Sequence, residues 1–136
     1  MSQNFIPGND LERRLLDAQD GRIAPHQFIE TLVASEVFMP VYEKDQIGGF
    51  APSKAAQPLV LEDPESGEKM LILFTSPERA KAFVRDYPGY GGGLVAEFTW
   101  ILDKLGVGYS IALNPGLEVG LELEAQDLEQ LKKAQQ

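Results

Sequence analysis

A chain of 136 residues, 43% of them hydrophobic and 24% charged, has the size and apolar content of one ordinary folded domain. Its lack of cysteine excludes disulfides, thiolate metal sites and cysteine nucleophiles, and fits a reducing compartment. Its 21 acidic residues against 12 basic ones leave a net charge of −9, a field that repels nucleic-acid phosphates and anionic lipid surfaces.

The amino terminus, MSQNFIPGNDLERR, lacks the basic start and apolar run of a secretory signal. No window reaches the roughly 20 apolar residues of a membrane helix. A cytoplasmic protein with no membrane and no nucleic-acid partner is expected. The basic pairs Arg13-Arg14 and Lys132-Lys133 read as solvated helix faces.

Residues 1–8 read as a loose tail and 9–136 as a single domain. Asn9 or Asp10 caps a first helix, with Leu11, Leu15 and Ala18 on one stripe and Asp20-Gly21 at its end. A second helix starts at Pro25, where proline sacrifices no amide bond, and buries Phe28, Ile29, Leu32 and Val33. Glu36–Tyr42, EVFMPVY, is a strand, and Pro40 places it at a sheet edge or ends it. The polar stretch Glu43–Gln57 is a surface loop.

Leu59–Leu61 and Met70–Phe74 are two strands joined by a turn containing Pro64 and Gly67, so they must be antiparallel. MLILF has no polar face and belongs in the middle of a covered sheet. Thr75 or Ser76 then caps a third helix, with Pro77 at its first position and Ala80, Phe83, Val84 and Tyr87 on its buried face. Pro88 and Gly89–Gly93 end it. Over 94–97 a strand and a helix fit equally, and a helix runs on to Leu105. Val107–Leu123 alternates apolar and other residues on both sides of Asn114-Pro115-Gly116, giving two strands about a turn. Proline then glycine suits a type II turn, and the proline pushes Asn114 towards extended backbone. The expected result is an open corner. The Asn114 side chain either caps its own turn or faces an open site. Ala125–Ala134 is a final helix. The whole reads as an α+β domain, a mixed, mainly antiparallel sheet with helices packed on it.

No residue set carries obvious chemistry. The single histidine, His26, has neither a nucleophile nor an orienting acid near it, and reads as a surface or capping residue. Gly89–Gly93 lacks the lysine and hydroxyl of a phosphate loop. Glu118, Glu122 and Glu124 alternate as a solvated face, without the spacing of a calcium loop. No catalytic residue, metal or cofactor is expected. Arg79 stands out because it falls in the first helical turn after a buried strand, where side chains line sheet-end crevices.

A helix pair, then SEVFMPVY, then FTSPERAKAF, then YSIALNPGLEVGLEL, then an acidic terminal helix: in that order these pieces resemble the N-terminal domain of the SseB family, the bacterial enhanced serine sensitivity proteins. The resemblance runs over about residues 10–133. It implies one intracellular α+β domain and supplies no catalytic residues; the family name refers to a phenotype and implies no serine chemistry. The expected function is a non-enzymatic binding or protein-interaction module. Its expected site gathers Thr75, Ser76, Arg79, Tyr109, Asn114, Pro115 and Gly116 at one end of the sheet. The alternative is a small-metabolite-binding protein or enzyme with Arg79 holding a carboxylate. A third reading is homo-oligomerisation through the edge of Glu36–Tyr42.

Overall fold

The computed structural model describes residues 6–42, 57–62, 64–87, 89–90, 92–104 and 108–134. The loop expected over 43–57 lies outside them except at its last residue. Helix α1, Asp10–Gln19, is capped by Asn9, whose Oδ1 accepts from the Glu12 amide at 2.8 Å. Helix α2, Pro25–Val33, carries its proline at the first position, and Gln27 Oε1 accepts from the Ala24 amide at 2.8 Å. These are the chemically cheap ways to begin a helix, and both were legible in the residues.

The chain continues as β1 (Glu36–Tyr42), β2 (Gln57–Pro58), β3 (Val60–Glu62), β4 (Lys69–Leu73) and α3 (Pro77–Val84). Then follow β5 (Gly92–Glu97), α4 (Phe98–Lys104), β6 (Tyr109–Leu113), β7 (Leu121–Leu123) and α5 (Ala125–Ala134). One sheet has the order β2-β1-β5 and is antiparallel throughout. The other has the order β3-β4-β6-β7, with β4 and β6 parallel and its other pairs antiparallel. Phe38 and Phe74 join the two sheets by a pair of backbone hydrogen bonds, each amide donating to the other's carbonyl, at 2.8 and 2.9 Å. The architecture is α+β with mixed, mainly antiparallel pairing.

Pro40 does not put β1 at an edge. β1 is the central strand of its sheet, between β2 and β5. The register of β1 with β2 sets Leu59 opposite Pro40. The Leu59 amide donates to the Pro40 carbonyl at 3.0 Å, but Pro40 has no amide to return the bond. The Leu59 carbonyl turns instead to the Ile72 amide, at 3.0 Å. The missing donor is thus where the chain leaves one sheet and enters the other, and the rule confining proline to edges is met by a strand switch.

Residues 94–97 are strand. β5 pairs with β1 from Glu36↔Glu97 to Val41↔Gly92, and α4 starts at once at Phe98, whose amide donates to the Ser35 carbonyl at 3.0 Å. β5 is therefore one edge of this sheet among the described residues, with Leu94 and Val95 exposed. Helix α3 has Ser76, not Thr75, at its cap position and stops at Val84, short of Tyr87. Its last turn gives way to a stack of Phe83 on Tyr87, ring centroids 5.2 Å apart.

β4 is buried on both faces, as its unbroken apolar run requires. Leu71 and Leu73 enter a larger core with Leu15, Phe28, Phe98, Leu102 and Leu128 of the helices α1, α2, α4 and α5. Ile72 and Phe74 enter a smaller core with Leu59, Ala112 and Ala80 of α3. No helix of the described residues is long and apolar enough to cross a membrane.

Candidate functional site

β4 and β6 run parallel in the register Leu73↔Leu113, so the chain leaves both strands at the same end of the sheet. The Asn114 amide extends the ladder by donating to the Leu73 carbonyl at 2.8 Å. There Asn114 Oδ1 accepts from the Thr75 amide at 2.9 Å, and Asn114 Nδ2 donates to Thr75 Oγ1 at 3.0 Å and to the Val119 carbonyl at 3.1 Å. The Thr75 hydroxyl has one proton, and the carboxylate of Glu12 takes it: Oγ1 to Oε2 is 2.7 Å, against 3.3 Å to Asn114 Oδ1. Glu12 arrives from the first turn of α1. Its two oxygens also accept from Arg79 Nε at 3.0 Å and Arg79 Nη2 at 2.9 Å, a two-pronged pair, and Oε1 accepts from the Gly8 amide at 2.7 Å.

The Glu12 side chain is 1% exposed and that of Arg79 is 27% exposed. Burial pushes the Glu12 carboxyl up, but the hydrogen bonds from Arg79, Thr75 and Gly8 and the Arg79 charge outweigh it and hold the group below its ordinary value. Hydrogen bonding to Glu12 raises Arg79 further still. The segment before α1 is tied on as well, because Arg79 Nη2 donates to the Ile6 carbonyl at 2.6 Å and Asn9 Nδ2 donates to the Thr75 carbonyl at 3.2 Å.

Asn114 has φ +55°, the only positive value at a non-glycine residue among the described ones. The proline after it does not force it extended. Asparagine tolerates the left-handed region better than most residues, and three side-chain hydrogen bonds hold it there. The turn itself is of the expected kind: the Leu117 amide donates to the Asn114 carbonyl at 3.2 Å, and Gly116 has the φ of +81° that a type II turn demands at its third residue. β7 begins only at Leu121, so Leu117 and Val119 belong to a wide loop between the paired strands β6 and β7. Gln19, at the end of α1, holds this loop. Its Nε2 donates to the Glu118 carbonyl at 2.7 Å and its Oε1 accepts from the Gly120 amide at 3.2 Å. A Cβ at Gly120 would stand 2.7 Å from the carbonyl oxygens of both Leu113 and Asn114. Since these are backbone atoms, Gly120→Ala is expected to cost about 1–3 kcal/mol, measured as a lowered midpoint in urea unfolding.

Of the residues expected at one site, Thr75, Arg79 and Asn114 do come together, through Glu12. Ser76 is half-buried at the helix start and makes no capping bond with its side chain. Pro115 and Gly116 line a small cavity of about 180 Å³ under the loop. Tyr109 does not join them. It lies at the other end of β6, five positions or ~16 Å of strand from Asn114, with Lys69 Nζ 5.8 Å from its ring centroid. Asn114 is 1% exposed and Thr75 4% exposed, so neither faces an open site. No buried side-chain nitrogen or oxygen among the described residues lacks a partner. Glu12 was missed. The signals for it were its place three residues after the cap Asn9, where capping glutamates sit, and its position beside the Leu11–Leu15 stripe.

The larger opening lies elsewhere. A groove of about 790 Å³ runs over the edge strand β7, between α1 and α2 on one side and α5 on the other. Leu15, Phe28, Ile29, Leu121, Leu123 and Leu131 supply most of its apolar lining, with His26, Glu30 and Asp127 also on its walls. That volume is in the range of ligand-sized sites. No His, Asp and Glu group able to hold a metal occurs among the described residues.

Residues 11–130 match the family described as SseB protein N-terminal domain. No curated protein and no solved structure matches the chain.

Proposed function

Since the chain belongs to the SseB family, its match covering all but the two ends, we propose that it is a non-enzymatic module that binds a protein partner through the groove over β7. The observation that carries this reading is a division of labour. The convergent polar groups at the sheet end are turned inward on one another, and the open concave surface is mainly apolar with charged groups at its walls. An enzyme or metabolite site needs a pocket holding convergent polar groups, and an apolar surface suits a protein partner. The alternative reading gave Arg79 a ligand carboxylate, but the carboxylate on its fork is the chain's own Glu12. The edge once expected for self-association, β1, lies between β2 and β5. The absence of cysteine keeps the cytoplasm as the setting of this proposal.

The test is site-specific photocrosslinking in the native cell, with a benzophenone side chain at Ile29, at Leu131 or at Glu68. Positions 29 and 131 line the groove, and 68 lies in the exposed turn between β3 and β4. One and the same protein captured from 29 and 131, but not from 68, is the expected result. Capture from 68 alone, or from none of the three, overturns the proposal.

A further inference from the structure

We propose that the occupant of the groove is a short basic amphipathic helix of another protein, an inference that rests on the groove being the binding surface. Four helices, α1, α2, α4 and α5, contribute to the core on this face of the four-stranded sheet. The groove is a gap in their layer, above β7. A helix with side chains is a cylinder of roughly 10 Å diameter, so about 790 Å³ accommodates ~10 Å of it, or about seven residues and two turns. Two turns present apolar anchors at i, i+3 or i+4, and i+7, the pattern by which helices seat in grooves. Leu15 and Phe28 line the groove but are buried, while Ile29, Leu121 and Leu131 are half-buried and remain open to such anchors. A pairing strand is a poorer occupant, because β7 offers only the three residues Leu121–Leu123.

The charge of that helix follows from the walls. Glu30 and Asp127 line the groove and no lysine or arginine does, while Glu122, between the groove-facing Leu121 and Leu123, turns its carboxylate to the other face of β7. Glu30 and Asp127 are both exposed, and neither is in an ion pair among the described residues. An approaching segment therefore meets a negative field with no lysine or arginine among the lining residues to offset it. Lysine or arginine flanking its apolar stripe would gain from that field, whereas acidic flanks would be repelled.

The test uses a synthetic labelled peptide of about 14 residues, roughly four helical turns, with leucine at i, i+3, i+4 and i+7 and lysine on the remaining face. Two controls accompany it, one scrambled to break the stripe and one with glutamate for lysine. Fluorescence anisotropy is expected to show both controls at least about tenfold weaker. Amide shifts should concentrate on Ile29, Leu121 and Leu131. The surface variants Glu30→Lys and Asp127→Lys, which leave the core untouched, should weaken the leucine–lysine peptide and flatten its salt dependence. Equal binding by either control, or shifts centred outside the groove, overturns the assignment. So does a crosslinked partner whose captured segment is not a basic amphipathic helix, although that result leaves the protein-binding reading standing. Absence of any crosslink from positions 29 and 131 removes both.

Discussion

Replacing Glu12 by glutamine lowers the unfolding free energy by about 3 kcal/mol, measured by urea denaturation at pH 7. Glutamine fits the space but not the bonding. Two carboxylate oxygens accept from Arg79, Thr75 and Gly8, and an amide turns one of those acceptors into a donor facing donors. The loss sits near the low end of the range for broken buried pairs because the Arg79 side chain keeps 27% exposure and some solvation. Arg79→Met strands the opposite charge and costs a similar amount. The pair Glu12→Leu with Arg79→Met is expected to cost clearly less than the two single changes added together, since no charge is then left unpaired. Strict additivity would mean that the two residues stabilise the fold independently. Acid gives a second readout. The Glu12 carboxyl is held below its ordinary value of 4.5 in the folded chain. Its contribution is therefore fully present above that value and is lost as pH falls through the lower, folded one. The gap between wild type and Glu12→Gln should be constant near neutrality and narrow only below about pH 4.5.

Local chemistry was readable; partnership across the chain was not. The Asn9 cap, the proline at the head of α2, the two-sided burial of MLILF and the type II turn at Asn114-Pro115-Gly116 all depend on residues within a few positions of each other. Each came out as the residue types dictate. Pro40 misled because the edge rule presumes a ladder that continues, and the chain used the missing amide to switch sheets at Leu59. Tyr109 misled because adjacency in sequence to Asn114 along an extended strand means separation in space. Glu12 escaped notice for the opposite reason. Thr75 and Arg79 are 63 and 67 positions away, and nothing near Glu12 marks it as buried except one stripe of leucines. The groove was illegible altogether. Its walls come from α1, α2, β7 and α5, and it exists only because of how these elements are spaced. Thr75, Arg79 and Asn114, three of the residues singled out as a site, fasten that frame together with Glu12, joining α1, the start of α3 and the β6–β7 loop at one end of the sheet.

That fastening makes Asn114 the position where substitution should do most damage. Asn114→Ala is expected to cost about 4 kcal/mol, from two unsatisfied buried groups at about 1–3 kcal/mol each and about 1 kcal/mol for a left-handed alanine. The groups are the Thr75 amide and the Val119 carbonyl. Asn114→Gly separates the two contributions. Glycine accepts φ +55° without a side-chain clash but supplies no bonds, so it should recover about 1 kcal/mol of the loss and no more. Asn114→Asp tests the donor alone. An aspartate still accepts from the Thr75 amide, but its second oxygen then faces the Val119 carbonyl and lies beside the hydroxyl that Glu12 already holds. Burial and these neighbours disfavour the anion and raise its titration above the unfolded value. The penalty of Asn114→Asp relative to wild type should then be largest at pH 7 and shrink on acidification, as a protonated carboxyl regains a donor for Val119. Glu12 is present in both proteins, so its own acid loss cancels in that comparison. A stability change under about 1 kcal/mol in Asn114→Ala would contradict the structural role. It would return Asn114 to the surface-contact role that its burial argues against.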